Sequence, residues 1–203
     1  MSDLRPGITV LIACHPERLA NGLAAETFAS IARQTLQPDT IILVNDLERA
    51  GAGRTRQKLL RMVETEWLAW CDSDDLLLPK HLQVLWDRAQ ETGAVFLNAW
   101  FNAPHDPLGH YGKPLNPCSP HHTTITFMVK TELAQEVGFE ESLTEGPFSE
   151  EDWRHISGIA ALCCERGLKM EHVPMKTWWW RQQGQNTSGL FRPGQGDIAP
   201  GAR

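Results

Sequence analysis

The sequence predicts an α/β domain with a mainly parallel central sheet flanked by helices, and three observations carry that reading. Three short runs, Ile8 to Cys14, Ile41 to Val44 and Trp67 to Cys71, are uncharged and mostly apolar. The segments between them carry apolar residues at helical spacing and join the runs through short polar connections. Each run stops at polar or acidic residues: His15-Pro16-Glu17-Arg18, Asn45-Asp46, and Asp72-Ser73-Asp74-Asp75. Strand, helix, strand, helix, strand with short joints implies right-handed crossovers and a parallel sheet, whose ligand edge lies at the strands' carboxyl ends. His15, Asp46 and Asp72 to Asp75 line that edge.

The elements follow in order. Ile8 to Cys14 is β-branched and buried, and a helix follows from Asn21, an N-cap residue, to about Thr35, with Leu23, Phe28, Ile31 and Ala32 on one face. Pro38-Asp39 turns the chain into the second strand, and Ala50-Gly51-Ala52-Gly53 loops into a helix over Arg54 to Glu64. The third strand ends in the acidic tetrad, and Pro79 permits a helix over Lys80 to Thr92. Ala94 to Phe101 is a further strand. Asn102 to Pro120 carries five prolines and two glycines and reads as a long loop. Thr123 to Val129 is a strand, Thr131 to Val137 a short helix closed by Gly138, and Glu150-Glu151-Asp152-Trp153 opens another helix. Lys169 to Val173 and Thr177 to Trp180 are late strands, and the Gly- and Pro-rich stretch from Gly189 is expected to be a flexible tail.

Composition bounds the class. At 203 residues the chain suits a single domain, over 1–188 with a tail at 189–203, and no apolar run is long enough to span a bilayer. Five cysteines without CxxC spacing read as reduced thiols, and Met1 to Gly7 does not resemble a secretion signal, so a cytoplasmic setting is expected. A net charge of −6 argues weakly against a polyanion as main partner, without excluding a nucleic-acid acceptor. Oligomeric state is left open.

The acidic tetrad is the chemical focus. Carboxylates packed this closely repel one another unless a cation or hydrogen-bond donors stand between them, and oxygen ligands suit Mg²⁺ or Mn²⁺. The competing reading is a solvated acidic turn that caps the next helix.

Taken in order, the blocks resemble family 2 glycosyltransferases of the GT-A fold. The resemblance runs from about Ile8 to Ser188. Ile8 to Pro16 is similar to the family's first strand, and Ser30-Ile31-Ala32-Arg33-Gln34-Thr35 to its helix end. Asn45-Asp46 stands where the family has its base-contacting acidic pair, Arg54-Thr55-Arg56 where it has an Arg or Asn near the nucleotide, and Asp72-Ser73-Asp74-Asp75 resembles its DxD signature. Gly138-Phe139 is similar to its glycine-aromatic step and Glu151-Asp152-Trp153 to its catalytic acidic motif. The resemblance implies a GT-A-like (nucleotide-diphospho-sugar transferase) domain. Its nucleotide-binding half would span about 8–101 and its acceptor half about 102–188. The implied activity is a metal-dependent, inverting transfer from a nucleoside-diphosphate sugar to an acceptor hydroxyl.

Roles follow from this reading. Asp74 and Asp72 are the candidate metal ligands, and His15, Asp46, Arg56 and Asp72 the candidate nucleotide contacts. Asp46 could accept an imide N–H of the base, and Arg56 could reach base or phosphate or could simply be solvated. Asp75 is either a ligand or a cap. Asp152 is the candidate base, with Glu151 orienting the acceptor; alternatively, the acidic run only complements the helix dipole. Trp153, Trp180 and Gln183 are candidate sugar or acceptor contacts. Gln183 stands where the family often has a metal-binding histidine, and two of Trp178, Trp179 and Trp180 are expected in the core or an interface. His121-His122 on an extended segment would face opposite ways and make no zinc site. Two rivals are a non-catalytic nucleotide-sugar-binding module and a nucleotidyltransferase. The second lacks a basic, Gly-rich loop after the first strand.

Overall fold

The computed structural model describes residues 4–103, 113, 127–141 and 151–182. Its element order is β1 (Arg5–Cys14), α1 (Pro16–Ala20), α2 (Leu23–Ala32), β2 (Thr40–Asn45), α3 (Ala52–Arg61), β3 (Thr65–Trp70), β4 (Leu76–Leu77), α4 (His81–Thr92), β5 (Phe96–Asn102), β6 (Phe127–Lys130), α5 (Thr131–Val137), α6 (Glu151–Arg166) and β7 (Met170–Trp179). The strands form one sheet of seven in the order β2-β1-β3-β6-β5-β7-β4. β1 runs parallel to β2 and β3, and β5 parallel to β7, while β6 lies antiparallel between β3 and β5. The carboxyl ends of β1, β2, β3, β5 and β7 therefore share one edge.

Alternation along the strands divides the core into two layers. On one face Val10, Ile12, Trp67 and Ala69 pack with Ile31 of α2 and Leu82 and Leu85 of α4. On the other, Leu11, Leu68 and Trp70 pack with Leu59 and Leu60 of α3, Leu133 of α5, and Ile156 and Ile159 of α6. This second layer brings α3 and α6 together over the end of β3, where the site forms.

The expected elements are present, with three differences. The helix read as starting at Asn21 is preceded by α1, which begins at Pro16; Gly22, at φ +86°, separates it from α2. His15 caps α1 by accepting a hydrogen bond from the Glu17 N–H. β4 is two residues long, too short for any periodicity, and exists because Leu76 and Leu77 pair antiparallel with Trp179 and Trp178. The two late strands are one, and Pro174 falls within it where the β5–β7 register shifts between Ala99 and Trp100. Most of the loop at 102–120, the segment 121–126 with His121-His122, and the tail at 189–203 lie outside the described residues. Cys14, Cys71, Cys163 and Cys164 are free thiols. Among the described residues no helix is long and apolar enough to cross a membrane.

Candidate active site

Arg56 is the hub of the site. It projects from α3, is buried to 7% exposure, and reaches three carboxylates on two other elements. Nη2 donates to Asp72 Oδ1 at 3.0 Å, while Nη1 donates to Glu151 Oε1 at 3.0 Å and to Asp152 Oδ1 at 2.6 Å. One guanidinium thus joins the loop after β3 to the first turn of α6. Burial works against the Arg56 charge, yet Asp152, Asp72 and Glu151 together raise its pKa above the ordinary arginine value. Asp152 is pushed up to about 7, chiefly by burial; Arg56 opposes the shift, while Glu151 and Asp72 add to it. A carboxyl group that ionises near neutrality suits proton acceptance.

The acidic loop divides its carboxylates among different partners. Asp74 pairs with Arg18 of α1 at 2.9 Å. Burial raises its pKa, Arg18 opposes, and the Asp72 charge raises it further, so the repulsion expected from the sequence is present. Asp75 is buried: its Oδ1 accepts from the Arg181 N–H at 2.7 Å, and its own N–H donates to the Asp72 carbonyl at 3.0 Å. Its carbonyl accepts from Thr27 Oγ1 at 2.8 Å, and burial with the neighbouring Asp74 and Asp72 holds its pKa well above the usual range. Asp75 thus ties the loop to the end of β7 and to α2, which favours the structural of its two readings.

Of the remaining sequence candidates, His15 and Asp46 fall at the same edge, at the ends of β1 and β2. His15 is exposed at the end of β1, its Nδ1 held by the Glu17 N–H. Both Asp46 oxygens accept backbone bonds, from Ala50 N at 2.8 Å and Gly51 N at 2.9 Å, so Asp46 closes the loop that leads into α3. Arg56 is not a solvated helix arginine; it pairs with Asp72, Glu151 and Asp152. Trp153 lies in the first turn of α6, half-buried. Trp178 and Trp179 are buried, and Trp180 packs its ring edge-on to Phe101 with centroids 5.4 Å apart. Gln183 lies outside the described residues. Arg18, Arg181 and His155 were not singled out from the sequence. Arg18 lies in the polar stretch after β1 and Arg181 directly after the three tryptophans, and only the fold pairs them with the tetrad.

Among the described residues no three His, Cys, Asp or Glu groups converge on a metal-binding point. Asp72, with its side chain 28% exposed, and Asp74, at 18%, instead form an edge of two mutually repelling carboxylates. That donor set fits a divalent cation that takes its other oxygens from substrate phosphates and water, as Mg²⁺ does, and not a closed protein cage.

Comparison with known proteins bears on the fold and the family. Residues 47–146 match the family model "Glycosyl transferase family 2". No curated protein matches the sequence significantly. Among solved structures, TarS 1-349 of S. aureus in complex with UDP-GlcNAc superposes with a TM-score of 0.69 at 13% identity, over 91% of this chain and 61% of that one. The same protein in complex with UDP gives 0.67 at 13% identity, over 87% and 61%. The mannosyltransferase PcManGT from Pyrobaculum calidifontis, in complex with GDP-Man and Mn²⁺, gives 0.63 at 16% identity, over 87% and 57%. The chain therefore spans about three-fifths of the length of these structures. Residues 47–146, which include the acidic loop, thus match glycosyl transferase family 2, and the seven-stranded sheet shares the GT-A fold of these solved structures.

Proposed function

We propose that the chain transfers a sugar from a nucleoside-diphosphate sugar to an acceptor hydroxyl, with inversion, Asp152 serving as the general base. One observation carries this reading: Asp72 of the ligand edge and Asp152 share the Arg56 guanidinium, so the acidic loop and the base sit side by side. The leaving diphosphate needs its charge neutralised, and a Mn²⁺ or Mg²⁺ held by Asp72 and Asp74 would supply that as a Lewis acid. Arg18, beside Asp74, adds positive charge at the same edge. The acceptor O–H loses its proton to Asp152, while Glu151, on the same Arg56 nitrogen, orients that hydroxyl. His15 and Asp46, at the ends of β1 and β2, are the proposed nucleotide contacts, and Trp153, Trp180 and Gln183 the proposed sugar or acceptor contacts. A reducing, cytoplasmic setting belongs to the same proposal, on the ground that the sequence carries five cysteines without CxxC spacing.

A second reading is a module that binds a nucleotide sugar without turnover. The 2.6 Å contact between Arg56 and Asp152 favours it, because the pairing must weaken for Asp152 to accept a proton. Release of nucleoside diphosphate from UDP- and GDP-sugars, assayed with Mn²⁺ and with Mg²⁺, separates the two. Under the transferase reading Asp152→Asn lowers turnover by about 10²–10⁴ and leaves donor affinity largely intact. Equal turnover in wild type and variant rejects Asp152 as base, and donor binding without any turnover favours the module.

A further inference from the structure

Three buried polar atoms of the residues in and next to the carboxylate cluster are satisfied by no described group: Arg56 Nε, Glu151 Oε2 and His155 Nε2. They belong to one neighbourhood. Glu151 and His155 are four residues apart on α6, hence on one face of the helix, and Glu151 already holds Arg56 through its other oxygen at 3.0 Å. The hydrogen-bonding characters are complementary. Arg56 Nε–H only donates, and a carboxylate oxygen only accepts. His155 Nδ1 lies 2.7 Å from the Gly138 carbonyl oxygen, a contact that requires the proton on Nδ1 and leaves Nε2 as a bare acceptor. The ring is fixed as well, stacked on Phe139 at 3.9 Å between centroids and 21° between planes. The same corner is clamped from the α3 side, where Phe139 N donates to Gln57 Oε1 at 2.6 Å, one residue after Arg56. The nearby guanidinium is felt at the imidazole: burial lowers the His155 pKa to about 4, the Gly138 contact opposes, and the Arg56 charge lowers it further.

We propose that His155 is a positioning residue for the base. In its Nδ1–H tautomer it shares one buried water with Arg56 Nε–H and Glu151 Oε2, and so fixes the rotation at which Arg56 presents its two terminal nitrogens to Asp72 and Asp152. A single water satisfies all three atoms, accepting from Arg56 Nε–H and donating its two protons to Glu151 Oε2 and His155 Nε2. Three polar partners are what a buried water ordinarily has. His155 touches neither donor nor acceptor in this scheme and acts through Arg56.

This inference rests on the reading of Asp152 as base, so its test combines readouts that need no turnover with one that does. Long-range ¹H–¹⁵N correlation on the full chain is expected to show His155 as the neutral Nδ1–H tautomer. A high-resolution crystal structure is expected to show one water within hydrogen-bond distance of the three atoms. His155→Phe keeps the stack on Phe139 but offers no acceptor, and should lower kcat about ten- to hundredfold with KM for the donor nearly unchanged. His155→Gln, whose carbonyl can accept, should recover part of that loss. An Nε2–H tautomer, a dry site, or His155→Phe with wild-type kcat overturns the proposal. The tautomer and the water found in a chain that transfers no sugar would leave the positioning network standing and reject the transferase reading alone.

Discussion

At the scale of single residues, Arg56 has the largest consequence. Its charge is buried among three carboxylates, and removing one partner of such a cluster leaves the others desolvated and mutually repelling. Arg56→Met is expected to destabilise the fold by about 3–5 kcal/mol in denaturant titrations, whereas loss of a surface pair such as Arg88 with Glu91 should leave stability almost unchanged. The Asp152 carboxyl, raised to about 7, gives a second expectation. A base works only when ionised, so kcat/KM should rise with pH through about 7, and Asp152→Asn should flatten that limb. The sequence made Asp152 visible through its acidic run at a helix start, and Asp72 and Asp74 through their place behind an apolar strand. Arg56 was visible as a residue, but its role was not. That role depends on contacts 16, 95 and 96 residues away, which no local pattern encodes.

At the scale of elements, the close approach of α3 to the chain before α6 decides whether the hub can form. A Cβ on Gly53 would lie 2.6 Å from the Glu140 carbonyl oxygen, a backbone atom that cannot swing aside. In an exposed helix Gly→Ala would stabilise by about 1 kcal/mol, so a lower Tm for Gly53→Ala, measured by calorimetry, is the expected sign of the clash outweighing helix propensity. Gly158 is similar: its Cβ would lie 2.6 Å from Val137 Cγ1 at the α5–α6 contact. Strands and helices with strong periodicity were legible, as β1, β2, β3 and α4 show. α1 and β4 were not, because a five-residue helix and a two-residue strand gain their stability from tertiary partners and carry too few residues to show a period.

At the scale of the whole molecule, two buried histidines, one in each core layer's helices, lower stability in acid. His81, bonded to Thr177 Oγ1 at 2.8 Å, and His155 are both lowered to about 4, in each case chiefly by burial. An unfolded histidine titrates near about 6.5, so each contributes stability that is full above that value and is lost as pH falls toward about 4. His81→Gln should therefore lose its Tm deficit relative to wild type as pH is lowered across that window. The parallel strands β2, β1 and β3 and the edge at their carboxyl ends were legible from the order of apolar runs and the polar residues that end them. The division of the acidic loop among Arg18, Arg56 and Arg181 was not, because it requires α1, α3 and β7 to converge on one corner. The most direct test of the central claim is calorimetric titration of UDP- and GDP-sugars into wild type and Asp74→Ala, with and without Mn²⁺. The expected result is donor binding that requires the cation in wild type and is lost in the variant; binding that ignores both the cation and the substitution, or no binding at all, would contradict it.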